Sequence, residues 1–112
     1  MIFAIDFDGT IVENEFPAIG DLHTAADTFI RFLKADGHKF TLWTCRCGKQ
    51  LEEAVAFLKD HNLAPDYVNQ SPPEMIEEYQ NDTRKVYADV YIDDRNAGGL
   101  VWPFHLLRCG EE

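Results

Sequence analysis

Short apolar runs, each closing on polar residues, alternate with segments of helical period, and this pattern constrains the fold more than any other feature of the chain. Ile2-Phe3-Ala4-Ile5 is a continuous apolar run of the kind expected for a buried parallel strand. Leu22, Ala25, Ala26, Phe29, Ile30 and Leu33 then recur at helical spacing, with Gly37 as a stop signal. Phe40–Thr44 reads as a second strand, and Leu51, Ala54, Val55 and Leu58 as a second helix ending near Asn62. Tyr67-Val68 is a short third strand. Ser71-Pro72-Pro73-Glu74 has the form of a capping box opening a short helix through Ile76 and Tyr79. Val90-Tyr91-Ile92 is a fourth strand, and the apolar tail Leu100–Leu107, broken by Pro103, is expected to hold a fifth strand at an edge. Strand–helix–strand alternation predicts an α/β fold: a three-layer, Rossmann-like domain with a central, mainly parallel sheet covered by helices on both faces.

At 112 residues the chain is read as one domain spanning 1–112. No apolar run approaches the ~18 residues of a membrane span, and Met1–Asp6 lacks the basic start of a signal peptide. Three cysteines, Cys45, Cys47 and Cys109, are too few for a disulfide scaffold, so free thiols in a reducing cytoplasm are expected. Structural zinc is disfavoured because further ligands would have to come from four scattered histidines. The net charge of −10 argues against a broad nucleic-acid-binding face or an anionic membrane as partner. It leaves room for an anionic small molecule, if a metal and a few local cations reverse the field at the site.

In parallel α/β sheets, ligands bind beyond the carboxyl ends of the strands. The polar residues that follow the strands are Asp6-Phe7-Asp8-Gly9-Thr10, Thr44-Cys45-Arg46, Asn69-Gln70-Ser71 and Asp93-Asp94-Arg95. Asp6 and Asp8, two apart in extended chain, can face one side. If the first and fourth strands are neighbours, four carboxylates meet. Two unit charges ~4 Å apart cost about 4 kcal/mol at an effective dielectric near 20, a heavy load on a net stability of only ~5–15 kcal/mol. A divalent cation relieves it, and oxygen ligands suit Mg²⁺.

These residues carry a resemblance. Asp6-Phe7-Asp8-Gly9-Thr10 after an apolar strand resembles the first motif of the haloacid dehalogenase superfamily. Leu42-Trp43-Thr44 is similar to its second motif, Lys85 to its third and Ile92-Asp93-Asp94 to its fourth. The order agrees over nearly the whole chain, and the nearest likeness is to small, capless, phosphatase-like members. The resemblance implies a Mg²⁺-dependent phosphatase acting through an aspartyl phosphate. Asp6 would be the nucleophile and Asp8 the acid and base. Thr44 and Lys85 would bind the phosphoryl oxygens. Asp6, the Asp8 backbone carbonyl and Asp93 or Asp94 would hold the metal. The alternative is a non-catalytic module that keeps the acid cluster for binding a metal or a partner. A response-regulator receiver also combines acids, a hydroxyl and a lysine around Mg²⁺, but in a different chain order.

Arg46 and Arg95 admit two readings: an ion pair with the abundant acids, or a fork gripping a second anionic group of the substrate. The segments 11–20 and 71–84 are too short for a cap domain, and the first suits a flap. Closure of the site then falls to the flap, to a neighbouring subunit or to the substrate. The expectation is a small phosphorylated substrate enclosed within a homo-oligomer rather than a macromolecular one. Phe16 in the flap would pack on such a partner or fold back on the core.

Overall fold

The computed structural model describes residues 1–108. Four strands form one all-parallel sheet: β1 (Ile2–Ile5), β2 (Lys39–Leu42), β3 (Tyr67–Val68) and β4 (Val90–Ile92), in the order β3-β2-β1-β4. Three helices connect them: α1 (Thr24–Ala35), α2 (Gly48–Asp60) and α3 (Pro73–Tyr79). The chain steps outward from β1 to β2 to β3, then crosses back to β4. The right-handed crossover rule places the β1–β2 and β2–β3 connections over one face and the return to β4 over the other. The layered α/β architecture expected from the alternation is present, with no cap among the described residues.

β1 is central and buried because it is apolar at every position. Phe3 and Ile5 share a face with Phe40 and Leu42, their register partners on β2. Phe29 of α1 meets Phe3 edge to face at 5.7 Å, an arrangement aromatic quadrupoles favour. The apolar stripe of α1, Ala26, Phe29, Ile30 and Leu33, is wholly buried, as its spacing predicts. α2 contributes Ala54 and Leu58, and its Phe57 packs on Phe7 just beyond β1.

Two local expectations are corrected. The tail does not add an edge strand: Phe104–Leu106 forms a short 3₁₀ turn after Pro103. Proline cannot donate to a sheet ladder, and Trp102 and Phe104 instead pack on Phe29 at 5.3 and 5.2 Å. Ser71 is not a capping residue either. Pro72 occupies the cap of α3, and the Ser71 hydroxyl accepts the Tyr87 N–H at 3.0 Å, tying the two ends of the crossover together. Cys109 lies outside the described residues.

Candidate active site

The register decides which acids meet. Ile5 pairs with Ile92, so the residues just past them, Asp6 and Asp93, leave the sheet side by side. The ladder continues one step further, with the Asp6 N–H donating to the Ile92 carbonyl at 3.0 Å. Beyond Asp6 the chain turns tightly: the Phe7 carbonyl accepts from Thr10, Ile11 and Val12. This turn brings the Thr10 hydroxyl back to Asp6, where it donates to Oδ2 at 3.0 Å. The same hydroxyl accepts the Asp94 N–H at 3.0 Å and lies 3.3 Å from Asp94 Oδ1. Gly9 is required in the turn: its φ is +87°, and a β-carbon there would strike Asp94.

Asp6, Asp93 and Asp94 each offer an oxygen within 4.8 Å of the others. No histidine or cysteine belongs to this group. Such a set of hard oxygen donors fits a Mg²⁺-type cation. The side chain of Asp8 stands outside it. Burial pushes the Asp6 carboxyl up to about 7, the charge of Asp93 adds to the rise, and the Thr10 hydrogen bond opposes it. Asp93 Oδ1 also accepts the Arg95 N–H at 2.9 Å, which fixes the turn after β4.

A cleft of about 430 Å³ opens over these residues. Asp6, Asp8, Thr44, Arg46, Asp93 and Arg95 all line it, so most of the residues singled out from the sequence converge. Asn14, Phe16 and Cys45 line it too. Two roles differ from expectation. Arg46 does not present its guanidinium to a ligand. Its five N–H groups meet five protein acceptors: both oxygens of Asp8, and the carbonyls of Pro17, Ala18 and Gln50. Of the two readings open to Arg46, the structure takes the ion pair. Lys85 is exposed and is not brought into the cleft wall; its ammonium lies over the Tyr91 ring, 5.4 Å from the centroid.

A conserved protein from Bacteroides thetaiotaomicron, of known structure, is similar to this chain at 40% identity with a TM-score of 0.80. The match covers 90% of this chain and 81% of that one. This chain belongs to the same family. No protein-family profile and no curated protein matches it.

The flap also has a defined form. Val12 bridges Leu22 in antiparallel fashion, and the Glu13 N–H donates to Asp21 at 2.9 Å, closing residues 13–21 at the neck. Gly20 permits this closure, since a β-carbon there would lie 2.2 Å from the Glu13 carbonyl oxygen. Phe16 neither folds into the core nor stands free: it is 57% exposed, with its ring over Arg46. His23 joins the flap base to the turn, through the Thr10 carbonyl at 2.9 Å and Glu13 at 3.1 Å. Thr10 is the residue whose importance the sequence understated. Its signal was its place at the end of the Asp6-Phe7-Asp8-Gly9-Thr10 run, which assigned it no role, and its partner Asp94 lies 84 positions away. Cys45 and Cys47 are exposed free thiols. Among the described residues, no helix is long and apolar enough to cross a membrane.

Proposed function

We propose that this protein is a Mg²⁺-dependent phosphatase that hydrolyses a phosphoric monoester through an aspartyl phosphate on Asp6. The observation that carries this reading is the packing of Asp6, Asp93 and Asp94 within 4.8 Å at the open end of the sheet. The resemblance of the four strand-end motifs to the haloacid dehalogenase superfamily supports it.

Asp6, Asp93 and Asp94 would hold the cation. When bound, Mg²⁺ would neutralise charge on the phosphoryl group and keep Asp6 ionised at neutral pH. The chain's own residues supply the rest. An oxygen of Asp6 attacks phosphorus in line, and the bond to the leaving oxygen breaks. Asp8 gives that oxygen a proton, then takes one from the water that releases phosphate from Asp6. Thr44 and Arg95 line the cleft, and their hydroxyl and guanidinium would bind the phosphoryl and substrate oxygens. Lys85 would join them by leaving its resting place over Tyr91. A small phosphorylated substrate in a reducing cytoplasm, enclosed by the flap or by a second copy of the chain, suits the size of the cleft, while the net charge of −10 disfavours a nucleic acid in its place.

The test is hydrolysis of 4-nitrophenyl phosphate with and without Mg²⁺. Metal-dependent turnover, abolished in Asp6→Asn, is expected. Turnover that survives this substitution, or none at any metal concentration, would leave the non-catalytic binding module as the better reading.

A further inference from the structure

Arg46 joins three parts of the fold on one cation, although it is only 2% exposed. Its Nε and Nη2 bind the two oxygens of Asp8 at 2.7 and 2.8 Å. Nη1 and Nη2 also reach the flap, at the Pro17 carbonyl (3.2 Å) and the Ala18 carbonyl (2.8 Å). Nη1 further donates to the Gln50 carbonyl in α2 at 3.3 Å. The guanidinium lies near two rings, 5.2 Å from the centroid of Phe7 and 5.1 Å from that of Phe16. A carboxylate has about four lone-pair sites, so the fork leaves roughly two on Asp8 and fixes their direction. A lysine, which carries a point charge without a planar fork, cannot fix that direction.

We propose that Arg46 is a positioning residue that couples the seating of the flap, residues 13–21, to the orientation of the Asp8 carboxylate. The inference rests on the phosphatase reading, in which Asp8 moves protons. When the flap lifts, Arg46 keeps the Gln50 carbonyl and the Phe7 ring but loses the Pro17 and Ala18 carbonyls and the Phe16 ring, so its fork holds Asp8 less firmly. When the flap is seated, Asp8 is aligned. Phe16 lines the cleft, so a substrate that settles the flap also readies Asp8.

The experiment compares the full-length protein with Asp8→Asn, Arg46→Lys, their double variant and Phe16→Ala, each with Mg²⁺, on phenyl and 4-nitrophenyl phosphate. Nitrophenolate leaves readily without a proton, whereas phenolate depends more on the acid. Arg46→Lys is expected to lower kcat on phenyl phosphate roughly tenfold more than on nitrophenyl phosphate, in the direction of Asp8→Asn. The double variant should be no slower than Asp8→Asn alone, because the two residues act as one unit. Phe16→Ala removes one ring from the guanidinium and should shift the substrate ratio roughly threefold, the size of an exposed cation–π contact. It carries the comparison if Arg46→Lys fails to fold. Hydrogen exchange of flap amides, the Glu13 N–H among them, should rise in Asp8→Asn even though the Asp8 side chain bonds to Arg46 and not to the flap. Equal losses on both substrates, or losses that multiply in the double variant, would overturn the positioning role. Unchanged flap exchange in Asp8→Asn would overturn the coupling. If the wild type hydrolyses neither phosphate, it is the phosphatase reading that fails, and the exchange result still decides the coupling.

Discussion

Gly9 and Asp94 stand so close that a β-carbon on Gly9 would lie 2.5 Å from a carboxylate oxygen of Asp94. The turn after β1 and the turn after β4 are therefore fitted to each other, the Gly9 backbone against the Asp94 carboxylate, with the Thr10 hydroxyl bonded to both sides. Gly9→Ala should cost about 1–3 kcal/mol, because it combines a left-handed φ with this contact. It should also displace Asp94 from the cluster. Thermal melts with and without Mg²⁺ check both: a lower melting temperature and a smaller metal-induced rise are expected.

The raised carboxyl of Asp6 predicts a pH dependence with a definite sign. An acid whose folded pKa, about 7, lies above its ordinary 3.8 binds its proton more tightly in the folded state. Its contribution to stability is complete below about pH 4 and is lost as pH rises through 7. In metal-free buffer the wild type should therefore lose stability between pH 4 and 7 relative to Asp6→Asn, which has no such group. At pH 8 the variant should melt at or above the wild-type temperature. Parallel melting curves for the two proteins across this range would contradict the placement of Asp6.

Metal should act in the opposite direction. Mg²⁺ bound only by the folded state at a hundred times its Kd stabilises by about 2.7 kcal/mol. For a domain near this size that corresponds to a rise of very roughly 10–20 °C in Tm. Asp93→Asn and Asp94→Asn should each reduce the rise, and calorimetry should find weakened binding in both. The variant that loses more identifies which of the two is the direct ligand.

Lys85 offers a clean separation of roles. If its ammonium leaves Tyr91 to meet the phosphoryl group, Lys85→Gln should lower kcat on nitrophenyl phosphate by roughly 100- to 1000-fold, the range seen when one stabilising donor is removed. Mg²⁺ affinity should stay within twofold, since Lys85 lies outside the acid cluster. Thermal stability should stay within ~0.5 kcal/mol, as for other exposed side chains.

Local pattern alone carried much of the architecture. The apolar runs Ile2–Ile5 and Val90–Ile92 are strands because an unbroken apolar tetrad or triad between polar ends has few other ways to be buried, and the stripe of α1 is legible from spacing alone. Asp6, Asp8, Thr44, Asp93 and Arg95 were legible as cleft residues for the same reason: in a parallel sheet, residues that directly follow strands emerge at one edge. The edge strand expected in the tail was not there, because local apolarity cannot tell a strand from a segment that packs its rings on a helix. The pairing of Asp8 with Arg46, 38 positions apart, left two readings open in the sequence. It was decided by the crossover that lays β2 beside β1 and by a flap whose carbonyls meet the same guanidinium. Likewise, the Asp6–Asp93–Asp94 cluster exists only because β4 pairs with β1 in the register Ile5↔Ile92. The sequence by itself determined which residue types stand at the ends of the strands. Which of them touch was decided by strand order and register, because charges separated by most of the chain interact only once the backbone ladder sets their distance.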